Sequence, residues 1–189
     1  MQEPPEGMLK VIKVIDTFSE WSGKAFAWMI VPLVLALTYE VVARYGFDAP
    51  TIWAYDVSYM VYGGHFMLGA GYTLLKKGHI RTDFFYEAWP ARRQGWVDAV
   101  SYLVFFFPGL IFFFFAGWDA AWHSWQMREA SEVSAWRPAL YPFKFVMPVT
   151  AALLLLQGVS EFLKCIYALR TGRWLVVHRT LEELVSREP

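Results

Sequence analysis

Glu40, Arg44 and Asp56 are the residues best spaced to interact within a chain that is otherwise strongly apolar. Glu40 precedes Arg44 by four positions, the favourable order for an acid–base pair on one helical face. A short connection, 45–51, then brings the chain back to Asp56. An ionisable side chain at the centre of a bilayer costs roughly 2.5–3.5 kcal/mol, so such groups are expected at a membrane interface and in each other's company. The spacing predicts that Arg44 and Asp56 act as one unit, with Glu40 sharing the arginine. Two roles fit this trio: a polar clamp on one hairpin, or a contact to a partner or ion. Glu161 and Lys164, three positions apart, read as a pair snorkelling from the end of the last apolar stretch.

The histidines speak against most enzymatic chemistry. A haem held between helices needs two axial histidines at matching depth. Only His65 falls in the middle of an apolar stretch, whereas His79, His123 and His178 lie at or beyond the ends. His65 therefore reads as an interhelical hydrogen-bond donor. Neither an H-E-x-x-H zinc pattern nor a G-x-S-x-G nucleophile elbow is present. The single cysteine, Cys165, excludes an internal disulfide and any cysteine-based metal cluster. We expect no enzyme activity and no cofactor in this chain.

The elements that would hold these residues are four apolar stretches at about 25–43, 52–75, 97–118 and 145–169. Each has about the 20 residues needed to cross a hydrocarbon core of ~30 Å. A hydrophobic share of 57% exceeds the roughly 45–50% of soluble domains. Of the 17 Lys and Arg, only Arg44, Arg128, Arg137 and Lys144 fall on one side of these spans, leaving 13 on the other. Cationic flanks stay cytoplasmic, so both termini and the loop 76–96 are expected inside. The net charge of zero gives no reason to expect nucleic acid as a partner. The expected fold is an all-α membrane protein, a single membrane domain over 1–189 with four transmembrane helices and interfacial amphipathic helices. The N-terminal segment lacks the pattern of a cleaved leader and is expected to be retained.

In the segment 8–22, Met8, Val11, Ile12, Val14, Ile15, Phe18 and Trp21 gather on one helical face. Lys10, Lys13, Asp16, Thr17, Glu20 and Lys24 gather on the other, which predicts an interfacial helix ending near Gly23. The segments 83–94 and 174–185 are further interfacial candidates, the latter a cytoplasmic helix. Pro32 and Pro108 should kink spans one and three. The phenylalanine run of span three fits a lipid-exposed or widely packed helix. In span two Gly63, Gly64, Ala70 and Gly71 share a quadrant, on the same side as Asp56. Small residues let helices approach closely in lipid, whether within this chain or against a partner subunit.

The stretch 44–93 resembles the small membrane subunit, DctQ type, of tripartite ATP-independent periplasmic (TRAP) transporters. The resemblance rests on Arg44-Tyr45, Pro50, Trp53 and Asp56, where the family usually has glutamate in place of the aspartate. It continues through Gly69-Ala70, the basic run Lys76-Lys77-Gly78-His79-Ile80-Arg81-Thr82-Asp83, and Pro90, Arg92 and Arg93. The outer segment from Ser134, Trp136 and Pro138 to Tyr141, Pro142, Phe143 and Lys144 is similar to part of the family.

The resemblance implies a small, non-catalytic permease subunit of a sodium-coupled transporter in the bacterial inner membrane. Its partners would be a large multi-span subunit, which would hold substrate and sodium, a periplasmic solute-binding protein delivering a carboxylate, and membrane lipids. Candidate residues for the subunit contact or clamp are Glu40, Arg44, Asp56, Gly63, Gly64, Ala70, Gly71, His79 and Asp83. Arg128, Glu129, Glu132 and Arg137, beyond a belt of Trp118, Trp122 and Trp125, are candidates for contact with the binding protein. Two other classes fit the residues less well: a structural or assembly membrane protein, and a b-type cytochrome subunit.

Overall fold

In a computed structural model the chain is described over residues 4–78, 86 and 88–175. Helices account for nearly all regular structure there: α1 (Glu6–Ala27), α2 (Ile30–Gly46), α3 (Ala54–Leu68), α4 (Ala70–Leu75) and α5 (Ala91–Ser101). A π-helical turn (Tyr102–Phe106) joins α5 to α6 (Phe107–Gln126), followed by the short α7 (Tyr141–Lys144) and by α8 (Val146–Thr171). Three continuous helical stretches are long and apolar enough to cross a membrane: Glu6–Gly46, Ala91–Gln126 and Tyr141–Thr171. The expected second span is divided into α3 and α4 at Gly69, whose own φ and ψ remain right-handed helical. Of the expected helix over 174–185, only Trp174 and Leu175 lie within the described residues, and of the segment 83–94 residues 83–85 and 87 lie outside them.

The boundaries differ from the sequence expectation where proline acts. Helix α1 runs through Gly23, and the break falls at Trp28–Met29. Pro32 has no N–H to give the Trp28 carbonyl, which accepts from Val31 N at 3.1 Å instead. The proline thus opens α2 from its first turn, where a missing donor costs little, and does not kink a mid-membrane helix. Pro108 acts differently. Just before it the Phe107 N–H reaches back to the Tyr102 carbonyl, the i→i+5 bond of a π-turn. Helix α8 ends on Gly172, left-handed at φ 72°, whose N–H reaches the Ala168 carbonyl at 2.8 Å.

Helix α8 is the hub, touching α1, α3, α4, α5 and α6. Its buried face is small and polar: Thr150, Ala151, Gln157, Gly158, Ser160, Glu161, Lys164, Cys165 and Ala168. Helix α6 buries only Gly117, Ala121 and Ser124, while Phe105, Phe112 and Phe115 beside them are exposed. Apolar side chains outside and small or polar ones inside is the packing of helices whose surroundings are themselves apolar. The small residues of α3 and α4 serve this bundle: Gly64 lies beneath Met29, Gly63 beneath the Phe143 ring and Gly71 against Leu153 of α8.

Gly95 of α5 is the tightest backbone crossing with α8. A β-carbon there would lie 2.9 Å from the Cys165 carbonyl oxygen and 3.0 Å from Leu169 N, neither of which can turn aside. Gly109 has nothing within 4 Å of that position. Gly95→Ala should therefore lower the thermal stability of the purified protein by about 1–3 kcal/mol. Gly109→Ala should leave it unchanged or raise it by about 0.5–1 kcal/mol. Equal melting temperatures for the two variants would disprove the close approach of α5 to α8.

Candidate functional site

The expected trio of charges is divided between two sites. Glu40, in the last turns of α2, accepts through Oε1 from Arg44 Nε at 2.8 Å and from Arg44 Nη2. Its Oε2 accepts from the Thr51 N–H at 3.0 Å and from the Thr51 hydroxyl, whose oxygen in turn accepts from Ala54 N at the start of α3. Both carboxylate oxygens are thus spent on the connection between α2 and α3, with Tyr39 stacked on Trp53 beside it. Of the expected clamp the Glu40–Arg44 pair is present, and Thr51 takes the place expected for Asp56.

Asp56 turns away from that clamp. It is 2% exposed and accepts from the Ser131 hydroxyl at 2.7 Å and from the Ser134 hydroxyl. Its place in the first turn of α3 puts the carboxylate at the positive end of the helix. The pairing of Arg44 with Asp56 is therefore corrected. Two hydroxyls and a helix end satisfy the aspartate, and the arginine is already held by Glu40.

The serines that hold Asp56 belong to a folded loop, 127–140, between α6 and α7. Ser131 N donates to the Pro138 carbonyl at 2.8 Å, and Leu140 N to the Glu129 carbonyl at 2.9 Å, around a bridge between Ala130 and Ala139. Arg128, left-handed at φ 52°, ends α6 and places its guanidinium over the Trp125 and Tyr141 rings. Glu129 is ion-paired with Lys144. The Lys144 ammonium holds the Glu129 carboxyl below the usual carboxylate range. This pair's stabilisation is complete above the ordinary glutamate value and is lost as pH falls through the lowered one. Of the four residues expected to meet a binding protein, Arg128 and Glu129 thus build the loop. Glu132 and Arg137 are exposed at its tip, beside exposed Val133 and Trp136.

The largest polar cluster lies elsewhere. Asp16 is fully buried, contrary to its expected place on an outward polar face. Its Oδ1 accepts from Ser160 Oγ at 2.6 Å and from Gln157 Nε2 at 3.1 Å, and its Oδ2 lies 2.8 Å from Lys164 Nζ. Lys164 Nζ also donates to Glu161 Oε1 at 2.7 Å, and Gln157 Nε2 to the same oxygen at 3.2 Å. One ammonium therefore serves two carboxylates, and the pair read as snorkelling faces inward. A signal for this was present: Gln157, Ser160, Glu161 and Lys164 form an i, i+3, i+4, i+7 polar stripe on an apolar helix. Ile12, Ile15, Asp16, Ser19 and Gly23 form the matching buried stripe on α1, while Val11, Val14, Phe18 and Trp21 are exposed.

His65 Nδ1 lies 3.0 Å from the Phe26 carbonyl oxygen, which can only accept, so this nitrogen carries the proton. The histidine thereby supplies a donor beside the break between α1 and α2. His79 and Asp83 lie outside the described residues. At the other end of the bundle, Gln94 Oε1 accepts from Trp174 Nε1 at 2.8 Å, with Lys77 over the Trp174 ring.

Two predictions follow from these clusters. Lys164→Met leaves two buried carboxylates without a counter-ion and should destabilise the purified protein by about 3–5 kcal/mol. Adding Asp16→Asn and Glu161→Gln should restore most of the loss in thermal unfolding, because neutral amides need no ammonium. A triple variant as unstable as Lys164→Met would refute this. Separately, Asp56→Ala should release the loop 127–140, so that a glutamate-specific endoprotease cuts after Glu132 much faster than in the wild type. Arg44→Ala should not change that rate, and the stability losses of the two variants should add. Faster cutting in Arg44→Ala would return the two residues to one unit.

No curated protein shows a significant match to the chain. The family described as tripartite ATP-independent periplasmic transporters, DctQ component, matches residues 33–168, most of its length. That match takes in the Glu40 clamp, Asp56 with its outer loop and the polar stripe of α8. The chain belongs to the DctQ family, the small membrane component of TRAP transporters.

Proposed function

We propose that this chain is the small, non-catalytic permease subunit of a sodium-coupled TRAP transporter, crossing the bacterial inner membrane four times with both termini cytoplasmic. It holds the large membrane subunit in place while that subunit moves a carboxylate solute delivered by the periplasmic binding protein. The family match carries the reading. The use of the polar groups supports it. The buried charges are spent on helix-to-helix and helix-to-loop bonds, leaving them engaged as fasteners. A transport path needs convergent groups that a solute can reach. The outer loop fits a second task. Fastened by Asp56 and by Lys144, it holds Glu132 and Arg137 outward at a fixed place, suited to meeting a soluble partner.

The chain alone in proteoliposomes should take up no solute above empty vesicles. With the large subunit and the binding protein it should support sodium-dependent uptake of a carboxylate. Uptake by the chain alone would overturn the proposal. In a Cys165→Ser background, a cysteine at Glu132 should react with an impermeant thiol reagent from outside, and one at Gly78 should not. The reverse pattern would overturn the orientation.

A further inference from the structure

The two exposed faces of the bundle are chemically unlike. Along the π-turn and the first half of α6 the exposed row is Phe105, Ile111, Phe112 and Phe115, without a polar atom, as suits acyl chains, and exposed Trp118 and Trp122 follow only toward the end of the helix. Along α3 the exposed row is Tyr55, Tyr59, Tyr62 and Phe66. It borders a groove of about 430 Å3 walled by Leu33 and Leu37 of α2 and closed at its outer end by Glu40 and Arg44. The hydroxyls of Tyr55, Tyr59 and Tyr62 make no hydrogen bond among the described residues, nor does Ser58 Oγ, which is buried in the groove wall. Tyr55 is at the level where tyrosine sits at a membrane interface. Tyr62 is eight residues further on than Ala54, so about 12 Å deeper along the helix. A phenol there has no water to bond, and an unpaired hydroxyl in hydrocarbon is costly. Arg44 adds to the mouth of the groove. Its Nε and Nη2 are held by Glu40, which leaves Nη1 free to donate.

We propose that this α2–α3 face is the seat of a transmembrane helix of the large subunit, and that this helix brings hydrogen-bond acceptors to Tyr59, Tyr62 and Arg44. Arg44 can only donate and the phenols and Ser58 can donate as well as accept, so a row of acceptors on an apolar helix would satisfy them together. Helix α2 buries only Leu33 and Ala36 within this chain and touches mainly α3, so the face lies open to such an occupant. The proposal rests on the four-span reading and the partner named above.

The test uses the chain co-expressed with the large subunit, with photoreactive benzoylphenylalanine at Tyr62 or at Phe112. Crosslinks to the large subunit are expected from position 62 and not from 112. Crosslinks from 112 alone would leave the complex standing and overturn the assignment of the face. Adducts from 62 only to lipid, or to a second copy of this chain, would overturn it equally. Tyr59→Phe with Tyr62→Phe should reduce co-purified large subunit about five- to tenfold, with the melting temperature of the isolated chain unchanged. Wild-type recovery in that variant would refute the acceptor row. Failure of the wild-type chain to co-purify with the large subunit at all would defeat the functional reading and this proposal together.

Discussion

Everything in this bundle depends on α8 being able to bury charge. A helix in an apolar surrounding gains little from hiding leucine, because the outside is as apolar as the inside. What fixes its neighbours is close approach and polar contact. Helix α8 offers both: Gly158, Ala151 and Ala168 for approach, and the stripe from Gln157 to Lys164 for contact. Lys164 between Asp16 and Glu161 makes α1 a part of the bundle. Removing one partner from such a cluster is far more harmful than removing the whole, so the three groups specify where α1 lies as much as they stabilise it.

The same economy recurs where α3 begins. Asp56 is bonded to residues 75 and 78 positions away, and those bonds hold the loop 127–140 against α3. Glu40 in contrast acts locally, tying the last turns of α2 to the connection that follows. Two acidic residues that look alike in sequence thus do different work: one sets a hairpin, the other sets a loop from the far half of the chain. The first keeps the α2–α3 pair intact, and the second fixes the place of the loop 127–140.

Much of this was legible in the residues. Helical class, the approximate stretches over 97–118 and 145–169, the Glu40–Arg44 pair and the interhelical role of His65 all follow from spacing and apolar length. Three features did not emerge, each for a physical reason. Amphipathicity was read as in water, polar side out, which placed Asp16 outward when an apolar surrounding lets the polar stripe face in. The partners of Asp56 are serines, whose hydroxyls carry no charge to mark them from a distance. The turn at Trp28–Met29 is set by a proline four residues later, so a break looked for at a glycine was found upstream of a missing donor.

The buried place of Asp16 also has a consequence for how the protein is made. Its partners Gln157 and Ser160 lie 141 and 144 residues further along the chain. At a synthesis rate of about 5–20 residues per second, α1 waits roughly ten to thirty seconds for α8 to leave the ribosome. Throughout that interval Asp16 lacks the Lys164 ammonium and the α8 donors that surround it in the finished fold. The exposed side chains Val11, Val14, Phe18 and Trp21 give α1 a face that can rest on lipid before α8 is made. Helix α1 can meet α4 early, through Gly23 against Tyr72, but its polar stripe is completed only when the chain has been read to the end of α8.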